Sequence, residues 1–333
     1  MTEKPLVHIA NLDVEFPLGR KLFGKPPMLK AVNGVSMDIM PGQFYGLVGE
    51  SGSGKTTLGR AILKAVPISS GKILYDDGKV SYDLEKISQR DLKNYRKLAQ
   101  LIFQDPYAAL SPRMTVRDII AEPLEVMGIT ESREETDERV REIASKCRLN
   151  LEHLRRFPHA FSGGQRQRIS IARALVCNPK FVVADESVAA LDVSIQADIL
   201  NLLKSLQSEL GLTFMFISHD LSVVAHICEH VSVMYLGTLV ESAPKSKLFS
   251  NPSHPYTKAL LSSIPSLDPD DRRKAQKLEG EIPSPVNPPS GCKFHTRCIF
   301  AEDRCQMEVP EWRKLSETHS VACHLAEKLS SAS

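Results

Sequence analysis

Gly49-Glu50-Ser51-Gly52-Ser53-Gly54-Lys55-Thr56 carries the plainest chemistry in the chain. It fits the pattern of a glycine, four residues, Gly-Lys and a hydroxyl residue that cradles phosphates. The glycines let backbone N–H groups approach an anion with no Cβ in the way. Lys55 can reach β- and γ-phosphates and the Thr56 hydroxyl can ligate Mg²⁺, with Thr57 next along the same turn. A second carboxylate-bearing stretch, Asp185-Glu186, closes the apolar run Lys180 to Ala184. Asp185 there suits Mg²⁺, held directly or through water. Glu186 suits the orientation or deprotonation of an attacking water, general-base work worth about 10²–10⁴-fold.

Phe161-Ser162-Gly163-Gly164-Gln165 offers another anion site, because Ser162 reads as a helix N-cap and two glycines stand at the start of that helix. His219 follows the apolar run Leu212 to Ile217. A lone histidine is usually structural or exposed, but at a strand C-terminus it can also contact a γ-phosphate. Open α/β sheets bind ligands just outside the carboxyl ends of their strands.

Positioning these groups requires a strand before the phosphate loop (Phe44 to Val48) and a helix after it (Thr57 to Ala65). Earlier come two short strand-like runs, Leu6–Ala10 and Leu12–Phe16, and a basic loop from Gly19 to Pro27. Strands are expected at Ala31–Met40, Lys72–Tyr75, Val231–Leu236 and Thr238–Val240. From Thr115 to about Phe157 only helical spacing appears, with apolar faces Val116, Ile119, Ile120 and Val140, Ile143, Ala144 flanking the charged stretch Glu131 to Arg141. The stretch beginning at Leu191-Asp192 reads as a long helix turning Ile195, Ile199, Leu202, Leu203 and Leu206 inward and stopping near Gly211.

At 333 residues, 42% hydrophobic and 25% charged, the composition is that of a globular protein with one large domain and an appendage. A net charge of +2 gives no argument for a nucleic-acid partner. No apolar run approaches a membrane span and the N-terminal residues lack a secretory apolar region, so the chain is expected in the cytosol with reduced or metal-bound cysteines.

Taken together, these residues resemble the ATP-binding subunit of an ABC transporter. The resemblance covers the phosphate loop, Gln104 as the Q-loop, Phe161 to Gln165 as the signature, Asp185-Glu186 as the Walker B end, Leu191-Asp192 in the D-loop and His219 as the switch histidine. It implies an α/β P-loop nucleotide-binding domain with an antiparallel β subdomain, a helical insert at about 106–160 and a Cys-containing C-terminal extension, divided as 1–250 and 251–333. It also implies a head-to-tail dimer, each ATP held between one subunit's Gly49, Ser51, Gly52, Ser53, Gly54, Lys55, Thr56 and Thr57 and the other's Ser162, Gly163, Gly164 and Gln165. Mg²⁺ would be served by Thr56, Gln104 and Asp185, catalysis by Glu186, His219 and Gln104. Phe16 aligns with the residue that stacks on adenine; it also reads as an edge-strand core residue, and Phe23 is the less favoured candidate for the stacking. Two positions depart from the family: Ser187 stands where proline is usual and Ala189 where the D-loop usually has serine.

Arg166-Gln167-Arg168, Tyr235-Leu236-Gly237, Asn251 to Leu261 and Glu279 to Pro285 narrow the resemblance to bacterial dipeptide and oligopeptide importers. That branch implies two membrane permeases, a second and non-identical ATPase subunit, an extracytoplasmic substrate-binding protein, and a peripheral place on the cytoplasmic face of the inner or plasma membrane. Other cargoes carried in this branch are glutathione, opines, oligosaccharides and nickel. A soluble ABC-type ATPase of DNA repair or translation is the competing class, disfavoured by the single cassette. In the tail, Cys292, Cys298, Cys305 and Cys323 stand in a Pro-rich segment with little room for a core of its own. Their spacing does not choose between metal-bound and free thiols. The resemblance suggests a [4Fe–4S] cluster, with zinc or free thiols as the alternatives. Cys147, Cys177 and Cys228 read as buried apolar residues.

Overall fold

A computed structural model of the chain describes residues 4–19, 26–264 and 280–330. Phe23 and Glu279 lie outside the described residues. The strands are Val7–Pro17 (β1), Met28–Ile39 (β2), Phe44–Val48 (β3), Ser70–Asp76 (β4), Ser81–Asp83 (β5) and Ala99–Ile102 (β6). They continue with Phe181–Asp185 (β7), Thr213–Ser218 (β8), His230–Tyr235 (β9), Thr238–Pro244 (β10), Arg313–Ser316 (β11) and His319–Val321 (β12). The chain divides into two compact units, each made from non-contiguous segments.

Among the described residues, one unit holds 75–217 together with 4–6 and 39–44. Its sheet is parallel, with β6 on β7 and β7 on β8, so that Ile102 pairs Ala184 and Asp185 pairs Ile217. Every residue of β7 is buried, as a parallel strand covered on both faces requires. Helices Val116–Met127 and Arg133–Lys146 bury Val116, Ile119, Ile120 and Val140, Ile143, Ala144 against one another and against helix Gly163–Leu175. Thr115, Ser132 and Ser162 cap the N-termini of these helices. The long helix Val193–Leu210 ends at Gly211, whose φ of 63° closes it in the left-handed region. Ile199, Leu202, Leu203 and Leu206 are buried there, while Ile195 is only half-buried.

The other unit holds the described residues of 7–38, 45–74 and 218–330, namely 7–19, 26–38, 45–74, 218–264 and 280–330. Here β1 lies between β2 and β4, and β3 runs parallel to β9, which pairs antiparallel with β10. The opening is one strand rather than the two runs expected from the sequence. Asn11, at φ 48°, shifts the phase of burial: Val7 and Ile9 are buried before it, Leu12 and Val14 after it. Asn tolerates that conformation, and a one-residue shift breaks the apolar alternation without ending the strand.

The tail also departs from expectation. Rather than a segment with little core, it adds β12 antiparallel to β10, Glu241 facing Val321, with β11 beyond. Val321, Cys323, Leu325, Ala326 and Leu329 cluster with Phe300 and Leu315 against them. Short apolar runs cut by prolines show no periodicity in sequence, so a core built on an existing sheet edge was invisible there. The fully buried Glu241 carboxyl accepts the N–H groups of Ser253 at 2.7 Å and His254 at 3.0 Å, and lies 2.9 Å from His319 Nε2. Cys147, Cys177 and Cys228 are buried as expected.

Candidate nucleotide site

The phosphate loop connects buried β3 to helix Lys55–Ile62, which starts two residues earlier than the apolar pattern suggests. Gly54 caps it at φ 103° with no side-chain hydrogen bond. The N-terminus of such a helix is where an anion is favoured. Backbone crowding fixes the glycines: a Cβ on Gly49 would stand 2.2 Å from the Met234 carbonyl, and one on Gly54 2.2 Å from that of Ala31. Lys55 is 4% exposed and folds over its own loop, donating to Gly49 O at 2.7 Å, Glu50 O at 2.9 Å and Ser53 Oγ at 3.4 Å. Ser51 and Gly52 are exposed, Ser53 is buried, and Thr56 and Thr57 are half-buried in the first turn. In the same unit His219 is exposed just after β8, and Phe16 is half-buried near the end of β1.

The other unit carries the carboxylates. Asp185 is buried at the end of β7. Glu186 follows at φ 45°, a left-handed backbone that costs a non-glycine residue about 1–3 kcal/mol and is held at functional sites. Its N–H donates to Ile217 O at 2.9 Å, and its carboxylate accepts Gln104 Nε2 at 2.7 Å. Gln104 is exposed beyond β6, so an amide and a carboxylate reach toward each other from two parallel strand ends. Ser187 is buried, and among the described residues its hydroxyl has no hydrogen-bond partner.

The signature stretch forms a complete capping box: Ser162 Oγ accepts Gln165 N–H at 3.4 Å and Gln165 Oε1 accepts Ser162 N–H at 3.1 Å. Gln165 thus spends its carbonyl oxygen on the cap, leaving Gly163 and Gly164 to present the helix start. Sequence reasoning missed Tyr107, whose ring lies 3.9 Å from the Arg166 guanidinium, itself donating to Pro158 O at 2.8 Å. It also missed a groove of about 300 Å³ beside Gln104, lined by Leu101, Phe103, Pro123, Val126 and Met127. The exposed apolar Phe103 next to Gln104 was the available signal.

In the tail, Cys305 and Cys323 are buried, Cys292 and Cys298 half-buried, and all are free thiols. Burial first, then the neighbouring thiols, pushes Cys298 up to about 11 and Cys323 up to about 12, and Cys292 upward. Leu325 N lies 3.4 Å from Cys323 Sγ as a donor, while the His295 N–H donates to the Cys292 carbonyl at 3.0 Å. Yet among the described residues no group of three or more His, Cys, Asp or Glu side chains is placed so that it could hold a metal ion. The donor types suit a cluster; the ligand geometry expected from the sequence is not displayed.

A buried strand leading into a glycine loop in one unit, and a carboxylate–amide pair at parallel strand ends in the other, are features found in ATP-binding cassettes. The ABC transporter family profile matches residues 32–189, and that of the oligopeptide/dipeptide transporter C-terminal region matches 240–305. The chain is 49% identical to a putative peptide import ATP-binding protein of Brucella ovis, over 97% of this chain and 98% of that one. It is 46% identical to the oligopeptide transport ATP-binding protein AppF of Bacillus subtilis, over 97% and 98%. Among solved structures, the dimeric ATP-binding cassette MJ0796 in a post-hydrolysis state with ADP and phosphate matches at TM-score 0.62 and 27% identity, covering 72% of this chain and 98% of that one. The chain belongs to the ABC transporter ATPases of the oligopeptide transport ATP-binding family. It is an ATP hydrolase. Among the described residues no helix is long and apolar enough to cross a membrane.

Proposed function

We propose that this chain powers import of di- or oligopeptides, working with two permeases, a second and non-identical ATPase subunit and an extracytoplasmic binding protein at the cytoplasmic face of the membrane. The observation that carries this reading is near full-length similarity to peptide-transport ATPases that extends through the C-terminal region. The groove beside Gln104 supports it, since an apolar recess flanked by Phe103 and Val126 suits a short amphipathic helix of a membrane partner.

Within one cassette, Gly49 to Thr57 would bind the phosphates, Lys55 exchanging its loop carbonyls for the β- and γ-oxygens. Phe16 would stack on adenine. Thr56, Gln104 and Asp185 are hard oxygen donors that would hold Mg²⁺, which when bound would supply positive charge to offset that of the phosphates. Glu186 would take the proton of the attacking water while Gln104 holds its carboxylate, and His219 would contact the γ-phosphate. Ser162, Gly163, Gly164 and Gln165 would close the site of the opposing cassette, in a chain divided at about residue 250. We carry the [4Fe–4S] reading of Cys292, Cys298, Cys305 and Cys323 on four cysteines gathered in one short segment, the ligand type such clusters take, and on the Leu325 N–H that donates to Cys323 Sγ. Anaerobic purification with iron and sulfide assay tests it; colourless, iron-free protein rejects it.

The functional test is a pull-down of tagged protein from detergent-solubilised native membranes with the co-purifying chains identified by mass. Two permeases, a second ATPase and a peptide-loaded binding protein are expected. A binding protein loaded with another cargo would overturn the peptide assignment, and ribosomal or DNA-repair partners would overturn transport itself.

A further inference from the structure

Glu50 is an odd residue for an anion-binding loop, since a carboxylate beside a triphosphate repels it. In this chain every polar group of Glu50 is engaged. Its N–H donates to Tyr256 Oη at 2.9 Å, its carbonyl accepts Lys55 Nζ at 2.9 Å, and its carboxylate accepts Arg297 Nη1 at 2.7 Å and Nη2 at 3.1 Å. The Arg297 side chain is only 4% exposed and that of Glu50 22%, so the forked pair is shielded from water. Tyr256 is fully buried, packed with Tyr235 and Phe294. Both partners come from the C-terminal extension: Tyr256 opens helix Pro255–Ser262, and Arg297 ends the short turn His295–Arg297 between Cys292 and Cys298. A nearby bond, Lys293 Nζ to Leu236 O at 2.7 Å, fixes the same turn to the end of β9.

We propose that Arg297 and Tyr256 are positioning residues for ATP binding: the extension grips Glu50 at its carboxylate and its N–H, neutralises it, and holds the phosphate loop in its anion-binding shape. Neither residue touches nucleotide in this scheme. The inference rests on the phosphate-loop reading above and adds a role for residues more than 200 positions away in sequence.

The test uses the full-length chain, measuring ATP affinity by displacement of trinitrophenyl-ATP, with turnover and thermal unfolding alongside. Arg297→Gln should weaken ATP binding between about tenfold and a hundredfold, the range for a lost charge-assisted hydrogen bond, while kcat at saturating ATP changes far less. Arg297→Lys, which keeps charge but loses the fork, should fall between. The double variant Glu50→Gln/Arg297→Gln should bind ATP more tightly than Arg297→Gln, regaining the part lost to a bare carboxylate beside the phosphates. Wild-type affinity in Arg297→Gln, or a double variant no better than the single one, would overturn the proposal. If Arg297→Gln does not fold, Tyr256→Phe carries the same test, with a severalfold higher KM expected and an unchanged KM counting against it. Lys55→Ala must abolish ATP binding whatever stands at position 297; retained binding there would reject the phosphate-loop reading itself.

Discussion

Replacing Glu241 by alanine should loosen the C-terminal extension without touching any residue that faces nucleotide. The buried carboxyl satisfies the N–H groups of Ser253 and His254 and meets His319 across the β10–β12 pairing. Alanine leaves both N–H groups buried and unpaired, each costing about 1–3 kcal/mol, with the lost His319 contact in addition. A total of about 3–6 kcal/mol is a large share of a typical folding stability of about 5–15 kcal/mol. The expected fall in Tm is about 10 °C. Glu241→Gln keeps one acceptor oxygen but turns an amide donor on the other N–H, and should cost about half as much. Thermal unfolding followed by circular dichroism gives the first number, and limited proteolysis reports whether β11 and β12 come free. A fall under about 2 °C in Glu241→Ala, with the extension still protected, would refute the view that this carboxyl pins the tail to the sheet. Because His254 is two residues before Tyr256, the same variant should also raise the KM for ATP.

Glu186→Gln preserves an acceptor for Gln104 Nε2 and should bind ATP normally while losing about 10²–10⁴-fold in turnover; full turnover would reject Glu186 as the base. Gly54→Ala should weaken ATP binding by at least about tenfold, since the new methyl meets the Ala31 carbonyl in a left-handed backbone costing about 1–3 kcal/mol; wild-type affinity would contradict the loop geometry. Burial holds His254 down at about 4, against about 6.5 in an unfolded chain. The unfolded state therefore binds the extra proton between those values, so this contribution is complete above about pH 6.5 and is lost as pH falls toward 4, up to about 3 kcal/mol. His254→Asn, whose side-chain oxygen can replace the Nδ1 that accepts Tyr256 N–H, should flatten that acid limb in urea titrations; an unchanged slope would assign it elsewhere.

What the sequence reveals is local. Glycine, lysine and hydroxyl spacing at Gly49 to Thr56 encodes a strand–loop–helix because the backbone there has few alternatives. Ser162 followed by Gln165 encodes a helix start by reciprocal hydrogen bonds. The helix stop at Gly211 and the burial of Cys147, Cys177 and Cys228 follow from single-residue chemistry. Boundaries were missed where one residue changed the backbone path, as Asn11 does in β1 and Gly54 at the start of helix Lys55–Ile62. The left-handed backbone of Glu186 was unreadable, because its N–H partner, the Ile217 carbonyl, lies far off in sequence.

The tail was illegible for a different reason, and that reason bears on function. Its prolines and scattered cysteines give no period, since its order comes from partners far off in the chain: β12 borrows β10, His319 meets Glu241, and Arg297 answers Glu50. A segment that merely decorated the cassette would have no need to bury a forked ion pair on the phosphate loop, because such a pair carries a desolvation cost that a surface position avoids. Placing the only charged residue between Gly49 and Lys55 under the control of Arg297 makes nucleotide affinity depend on the folded extension. The phosphate loop of this chain is therefore completed from its C-terminal region, and a truncation after β10 should lose ATP affinity even where the loop sequence is intact.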